Sequence, residues 1–322
     1  MRDRLARRKQ IVAQAESAGV EVVEDKGRIA IRGAVTKYIK RCRDVDAEVA
    51  AASYARALND FMRLLPDIQF IDQIDEEVMV KFGAALKKLG NGDRTRFNKH
   101  RSVLGFLRRA GVDVKSMRIR TPKFEKKMPV VYSEETIAAL VEAAPDSYFR
   151  DVLKVLRMTG LREQETVHLE WPDIDFKRKL VLVRSKPDLG FKIKDKEERD
   201  VPLPDALAVI LKARHDERGS RRLVLGTDDD KPHQKWLRLL KRTARKAGLN
   251  CGRCDGCREQ DECGLFTLHS FRRSYATSLH RKGVDVRTLM GLLGHSDLET
   301  TLGYLAAMQA EESHSQVNAA FS

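Results

Sequence analysis

The stretch from Val112 to Val131 (VDVKSMRIRTPKFEKKMPVV) constrains this chain more than any other, because it interrupts the hydrophobic patterning on both sides. It mixes Lys and Arg with two prolines and carries little periodicity, so it reads as a basic linker between domains. A chain of 322 residues is also longer than a usual single core. The expected organisation is an N-terminal arm (1–32), a helical domain (33–112), the linker (113–131), a second domain (132–308) and a tail (309–322).

Before the linker the apolar spacing is helical throughout, with segments near Val35–Val45, Ala47–Leu65, Asp75–Leu89 and Asp93–Ala110. Gly90, Asn91 and Gly92 separate the last two, and Asp93 stands where a side chain can cap the fourth. On that fourth helix Arg94, Arg96, Lys99, Arg101, Arg108 and Arg109 interleave with Val103, Leu104 and Leu107, leaving cations free to face phosphates. After the linker, Ser133 is a cap ahead of Glu134 and Glu135, and a helix over Tyr148–Thr159 ends at Gly160. Leu180–Arg184 and Arg199–Leu203 pattern as two strands, joined by a charged connection with Lys186, Lys192, Lys194 and Lys196. Helices return near Pro204–His215 and His233–Ala247. The fold class is therefore mainly α with a small β-sheet (α+β).

Lys and Arg number 61 against 47 Asp and Glu, a net charge of +14 that favours a polyanionic partner, nucleic acid first. A solvated basic face is the plainer reading of charge alone. No apolar run of 18 residues occurs and no apolar core follows the basic N-terminus, so a cytoplasmic protein without membrane contact is expected. Four of the five cysteines, Cys251, Cys254, Cys257 and Cys263, stand in CxxCxxCx5C spacing with Gly252, Gly256 and Gly264 among them. In a reducing compartment that crowding points to metal ligation: a structural zinc, with an iron–sulfur cluster, or reduced or disulfide-forming thiols, as alternatives. Cys42 reads as packing. Lying just before the helix that carries His269, the metal loop would fix that helix's entry.

The C-terminal third carries the chemistry. Leu268–Gly283 (LHSFRRSYATSLHRKG), as a helix, sets His269 and Arg272 at i and i+3 beside an apolar stripe of Phe271, Tyr275 and Leu279. Val284–His295 (VDVRTLMGLLGH) is a short helix packing through Val286, Leu289, Met290 and Leu293, closed by Gly294, with His295 just beyond. Ser296 and Glu299 have capping-box spacing for a last helix whose buried stripe is expected at Leu298, Leu302 and Leu305, leaving Tyr304 to face a cleft. Read singly, each of these residues is an ordinary feature of an amphipathic helix.

In order, they are not ordinary. HxxR, then LGH, then a tyrosine nine residues later resembles the C-terminal signature of the tyrosine recombinase (phage integrase) family. Thr159–Glu165 (TGLREQE) resembles the family's first-arginine motif, with Arg162 as the match and Glu165 as its accompanying acid. Gly190–Leu203 (GFKIKDKEERDVPL) resembles the hairpin bearing the family's lysine; Lys194 is the best match, with Lys186 and Lys192 as alternatives. The likeness covers residues 33–308, and the cysteine insert departs from the family's simplest form.

What the resemblance implies is an enzyme of DNA recombination and integration, such as those of mobile elements, built from a core-binding domain and a catalytic domain. It would cut and rejoin double-stranded DNA through a 3′-phosphotyrosyl bond to Tyr304, without ATP or a catalytic metal. Arg162 and Arg272 would clamp the phosphate, His269 accept a proton or donate to the phosphate, His295 donate to it, and Lys194 protonate the leaving 5′-oxygen. The residue types suit this chemistry, because charge gathers on non-bridging oxygens in the transition state, and planar guanidiniums with fixed donors oppose it. A homo-oligomer is implied, a dimer on a site and a tetramer in the synapse. The competing readings are a type IB topoisomerase-like relaxing enzyme and a non-catalytic DNA-binding protein of the same fold.

Overall fold

In a computed structural model of the chain, the described residues are 24–25, 28–45, 48–125, 129–193, 198–219, 221–259, 262–295, 297–299, 301–304, 318 and 320–321. They separate into two compact units, Met1–Lys126 and Lys127–Ser322.

In the first unit, strands β1 (Glu24–Asp25) and β2 (Arg28–Ile29) pair antiparallel. Helices α1 (Ile31–Asp44), α2 (Glu48–Leu64), α3 (Glu76–Lys88) and α4 (Asp93–Arg109) follow. The first helix thus begins inside the span read as an arm, most of which lies outside the described residues. The bundle closes on buried Phe61, Phe82 and Phe106, with Phe61 and Phe82 edge to face at 5.1 Å between ring centres. Asp75 caps α3 by accepting the Val78 N–H. Asp93 does not cap α4, contrary to expectation: Gly92 is the cap residue, and Asp93 sits in the first turn paired with Arg96, where its charge meets the helix dipole instead. Val112, Val114 and Met117 pack into this same core, so the start of the linker segment is folded rather than free.

The second unit opens with α5 (Glu134–Glu142), capped by Ser133, and α6 (Ser147–Thr159), capped by Asp146. Gly160 ends α6 at φ 61°, and a Cβ there would lie 2.3 Å from the Tyr275 ring; only glycine meets both conditions. After the short α7 (Glu163–Val167) comes a three-stranded antiparallel sheet of β3 (Ile174–Asp175), β4 (Leu180–Val183) and β5 (Arg199–Pro202), with β4 central. Val181 faces Val201 and Val183 faces Arg199 across the β4–β5 pair. At two residues, β3 is too short to show an alternating pattern, which is why the sequence shows only two strands. Then come α8 (Asp205–Arg218), α9 (Trp236–Lys246), the single turn α10 (Asp255–Glu259), α11 (Leu268–Arg281) and α12 (Val286–Leu293). One core, with Phe149, Leu153, Val181, Trp236 and Phe271 at its centre, joins α6, the sheet, α9 and α11. No helix among the described residues is long and apolar enough to cross a membrane.

Candidate active site

The site is organised by the C-terminal end of α12. A helix leaves its last carbonyls without intrahelical partners and concentrates negative dipole there. Here three arginines from three different elements take three consecutive carbonyls. Arg199, heading β5, donates through Nε to Leu292 at 2.8 Å. Arg272, on α11, donates through Nη2 to Leu293, and through Nη1 to Gly160 at 2.7 Å. Arg162, at the cap of α7, donates through Nη2 to Gly294 at 2.8 Å. Gly294 adopts a left-handed φ of 58°, and a Cβ there would press on the Arg199 guanidinium at 3.1 Å.

Glu165 sits between two of these guanidiniums. Its Oε1 accepts from Arg162 at 2.8 Å and from Arg199 at 3.0 Å, and its Oε2 accepts from Arg199 at 2.6 Å and from the Arg162 backbone N–H at 2.8 Å. Burial alone would raise its pKa; the hydrogen bonds and charge of Arg199, then of Arg162, override that and hold it at about 2. Burial and then repulsion from Arg162 bring Arg272 down to about 10, which leaves it charged at neutral pH. Three guanidiniums face one carboxylate, so a positive excess remains. The Arg272 side chain is 1% exposed, and among the described residues its Nε has no hydrogen-bond partner. A buried donor left unmatched beside uncompensated positive charge fits an anion such as a phosphate.

The two imidazoles and the phenol complete the cluster. His269 Nε2 lies 2.6 Å from the Tyr304 hydroxyl, and His295 Nδ1 lies 2.9 Å from Thr301 Oγ1. The Tyr304 ring meets both imidazoles edge to face, with centres 5.6 Å from His269 and 5.1 Å from His295. Burial, then the charges of Arg272 and Arg162, push His295 down to about 3, so its ring is neutral. One expectation fails at this turn. Leu298 and Leu302, the anticipated buried stripe, are 49% and 46% exposed, while Thr301 and Tyr304 point inward. The reason is that the polar atoms of Thr301 and Tyr304 find partners in the two histidines, so turning them inward strands no polar group, and the Tyr304 ring packs on Tyr275, Ala276 and Leu293.

Arg162, His269, Arg272, His295 and Tyr304 therefore come together from α7, α11, α12 and the turn after it. Lys194 and Ser296 lie outside the described residues, as does Leu305. Of the alternative lysines, Lys186 is held in a buried pair with Asp173, Nζ to Oδ1 2.7 Å, and Lys192 is exposed on the connection between β4 and β5. Two members of the cluster are not singled out by the sequence pattern. Arg199 had a signal, since it shares a strand face with Val201, which is fully buried, and so must point inward. Thr301 had none beyond its place one turn before Tyr304.

The four cysteines form a second centre. The Sγ atoms of Cys251, Cys254, Cys257 and Cys263 all lie within 4.8 Å of one another, close enough to hold a metal. The loop is built for that approach: a Cβ at Gly256 would collide with the Glu262 carbonyl at 2.1 Å, and the Gly264 N–H points at Cys254 Sγ at 3.3 Å. Cys263 is fully buried in the core, and Thr267, at the start of α11, exchanges hydrogen bonds of 2.7 and 2.9 Å with the Tyr132 hydroxyl.

Residues 131–311 match the profile of the phage integrase family. The chain is 30% identical to the tyrosine recombinase XerA of Thermococcus kodakarensis over 233 residues, which is 70% of this chain and 75% of that one. It is also 30% identical to the tyrosine recombinase XerD of Staphylococcus epidermidis over 275 residues, 78% of this chain and 85% of that one. Its fold is similar to that of a lambda integrase chain in the crystal structure of a lambda integrase tetramer bound to a Holliday junction (TM-score 0.69, 15% identity, covering 87% of this chain and 78% of that one). The Tn1549 transposon integrase in complex with transposon right end DNA is similar too (TM-score 0.64, 16% identity, covering 88% and 99%). The chain belongs to the phage integrase family and is a tyrosine recombinase.

Proposed function

We propose that the chain is a site-specific DNA recombinase that breaks and reseals double-stranded DNA through a 3′-phosphotyrosyl bond at Tyr304. The observation that carries this reading is the 2.6 Å approach of His269 Nε2 to the Tyr304 hydroxyl beside three converging arginines. A phenol has a pKa near 10 and needs a proton acceptor to attack phosphorus. His269 takes that proton as Tyr304 Oη bonds to phosphorus and the bond to the 5′-oxygen breaks. Arg162 and Arg272 neutralise the charge gathered on the non-bridging oxygens, and neutral His295 adds one hydrogen bond. Lys194 gives the departing 5′-oxygen its proton. The phosphotyrosyl ester keeps the energy of the original diester, so attack by another 5′-hydroxyl reseals the strand without ATP.

The DNA partner and the oligomer are part of the same proposal: the lambda integrase likeness is a tetramer on a Holliday junction, and this chain carries an excess of positive charge. It would work in the cytoplasm, as a dimer on a site and a tetramer when two sites pair. On a nicked suicide duplex carrying the recombination site, the wild-type chain forms a covalent protein–DNA adduct and Tyr304→Phe forms none. An adduct of undiminished yield with Tyr304→Phe contradicts the proposal.

For the cysteines the reading is one structural zinc. A tetrahedron of zinc–sulfur bonds has edges of about 3.8 Å. The Cys251–Cys257 and Cys254–Cys257 separations, 3.8 and 3.5 Å, are of that size. An iron–sulfur cluster divides its four thiolates between two or four irons, which sets some of them further apart than the 4.8 Å within which all four Sγ atoms lie here. The zinc would brace the entry to α11 and supply no chemistry to strand transfer. Elemental analysis of the purified protein should find about one zinc per chain; stoichiometric iron with a brown colour contradicts this.

A further inference from the structure

The hydrogen bond between His295 and Thr301 has a consequence beyond holding a ring still. A neutral imidazole carries one N–H, and the partner of one nitrogen decides which nitrogen has it. His295 sits among Arg272, Arg162, Arg199 and His269, surroundings that keep it neutral. Its Nδ1 faces the Thr301 hydroxyl at 2.9 Å. If that hydroxyl donates to Nδ1, the proton resides on Nε2, and Nε2 can donate to a phosphate oxygen. If Nδ1 holds the proton, Nε2 presents a lone pair, which a phosphate oxygen repels.

We propose that Thr301 is a positioning residue that fixes His295 as the Nε2–H tautomer, and so makes the donor function of His295 conditional on docking of the turn that carries Tyr304. Thr301 is fully buried and lies three residues before Tyr304 in one helical segment, so the two side chains enter the site together. His295, by contrast, is anchored to the end of α12: its backbone N–H is held by the Met290 carbonyl at 3.0 Å, independent of the Tyr304 turn. The phosphate donor is thus fixed in place by one element and made competent by another. A site whose nucleophile is undocked would hold the phosphate with its arginines while lacking one oriented donor. The inference rests on the proposed role of His295 as a donor to the phosphate.

Single-turnover cleavage of a nicked suicide duplex by the full chain tests it, with the variants Thr301→Val, Thr301→Ser, His295→Ala and the double variant Thr301→Val/His295→Ala. Valine keeps the volume and removes the hydroxyl; serine keeps the hydroxyl. In metal sites the loss of a histidine's orienting partner costs about tenfold to a hundredfold in activity, and a loss of that order is expected here. Thr301→Val should lose that much in the chemical step with DNA affinity unchanged, Thr301→Ser should keep most of it, and Thr301→Val should cost nothing further once His295 is alanine. The ring-nitrogen chemical shifts of His295 should report Nε2–H in the wild type and a mixture in Thr301→Val. If His295→Ala cleaves at the wild-type rate, the role given to His295 falls. If His295→Ala is slow but the Thr301→Val loss adds to it in full, or the tautomer is unchanged by valine, the role of His295 stands and the inference about Thr301 is overturned.

Discussion

At the scale of single residues the site depends on a carboxylate that does no chemistry. Glu165 is shared between Arg162 and Arg199, both of which also bond the end of α12. Removing one partner of a buried ion pair typically costs about 3–5 kcal/mol, because the remaining charge is stranded. Glu165→Gln should therefore lower the unfolding free energy by an amount in that range, measured by urea denaturation at pH 7. The folded pKa of about 2 lies below the ordinary 4.5, so the stabilisation is fully present above pH 4.5 and disappears as the pH falls towards 2. The gap between wild type and Glu165→Gln should narrow over that interval; a gap that widens there contradicts the assignment. Arg162, His269, Arg272, His295 and Tyr304 were legible in the sequence because their order and spacing form a pattern. Arg199 and Thr301 were not, because their partners, Leu292 and Glu165 for the one and His295 for the other, are set by tertiary placement and neither residue falls in that pattern.

At the scale of elements, helix ends do most of the positioning. The caps at Ser133, Gly160 and Gly294 could be read directly, since each follows from local hydrogen-bonding chemistry or backbone freedom. What could not be read is that the carbonyls ending α12 are a shared acceptor for three arginines, because that depends on tertiary placement. The inward rotation of the Tyr304 turn was missed for the same reason: apolarity favoured Leu298 and Leu302, and tertiary hydrogen bonds decided otherwise. Gly160→Ala tests the α6 end. A left-handed alanine costs about 1–2 kcal/mol and a clash in a packed site about 1–3 more. Thermal unfolding of that variant should show a marked drop in melting temperature, and an unchanged midpoint would refute the tight approach to Tyr275. For the cysteine loop, stripping the proposed metal with a chelator should lower the melting temperature and slow cleavage together, since Cys263 shares one core with Leu268 of α11 and with Tyr132, which bonds Thr267 at its start.

At the scale of the whole molecule, the two compact units divide after Lys126, inside the stretch from 112 to 131 where the hydrophobic patterning breaks. Each unit holds a histidine that resists protonation: buried His100 in the first and half-buried His295 in the second. Burial, then the charge of Arg96, brings His100 from 6.5 to about 4. The unfolded chain takes up a proton below pH 6.5 that the folded one refuses, so stability falls as the pH drops through that value towards 4. His100→Leu should remove about 2 kcal/mol of the loss between pH 7 and pH 5, read by urea denaturation at both. The central claim is that the arginines, the histidines and Tyr304 form one site for one phosphate, and peptide mapping of a trapped intermediate tests it most directly. After incubation with a nicked suicide duplex and digestion, mass spectrometry should find the nucleotide joined through its 3′-phosphate to the peptide containing Tyr304. A nucleotide joined to any other residue, or no joined peptide from protein that binds the duplex, would contradict it.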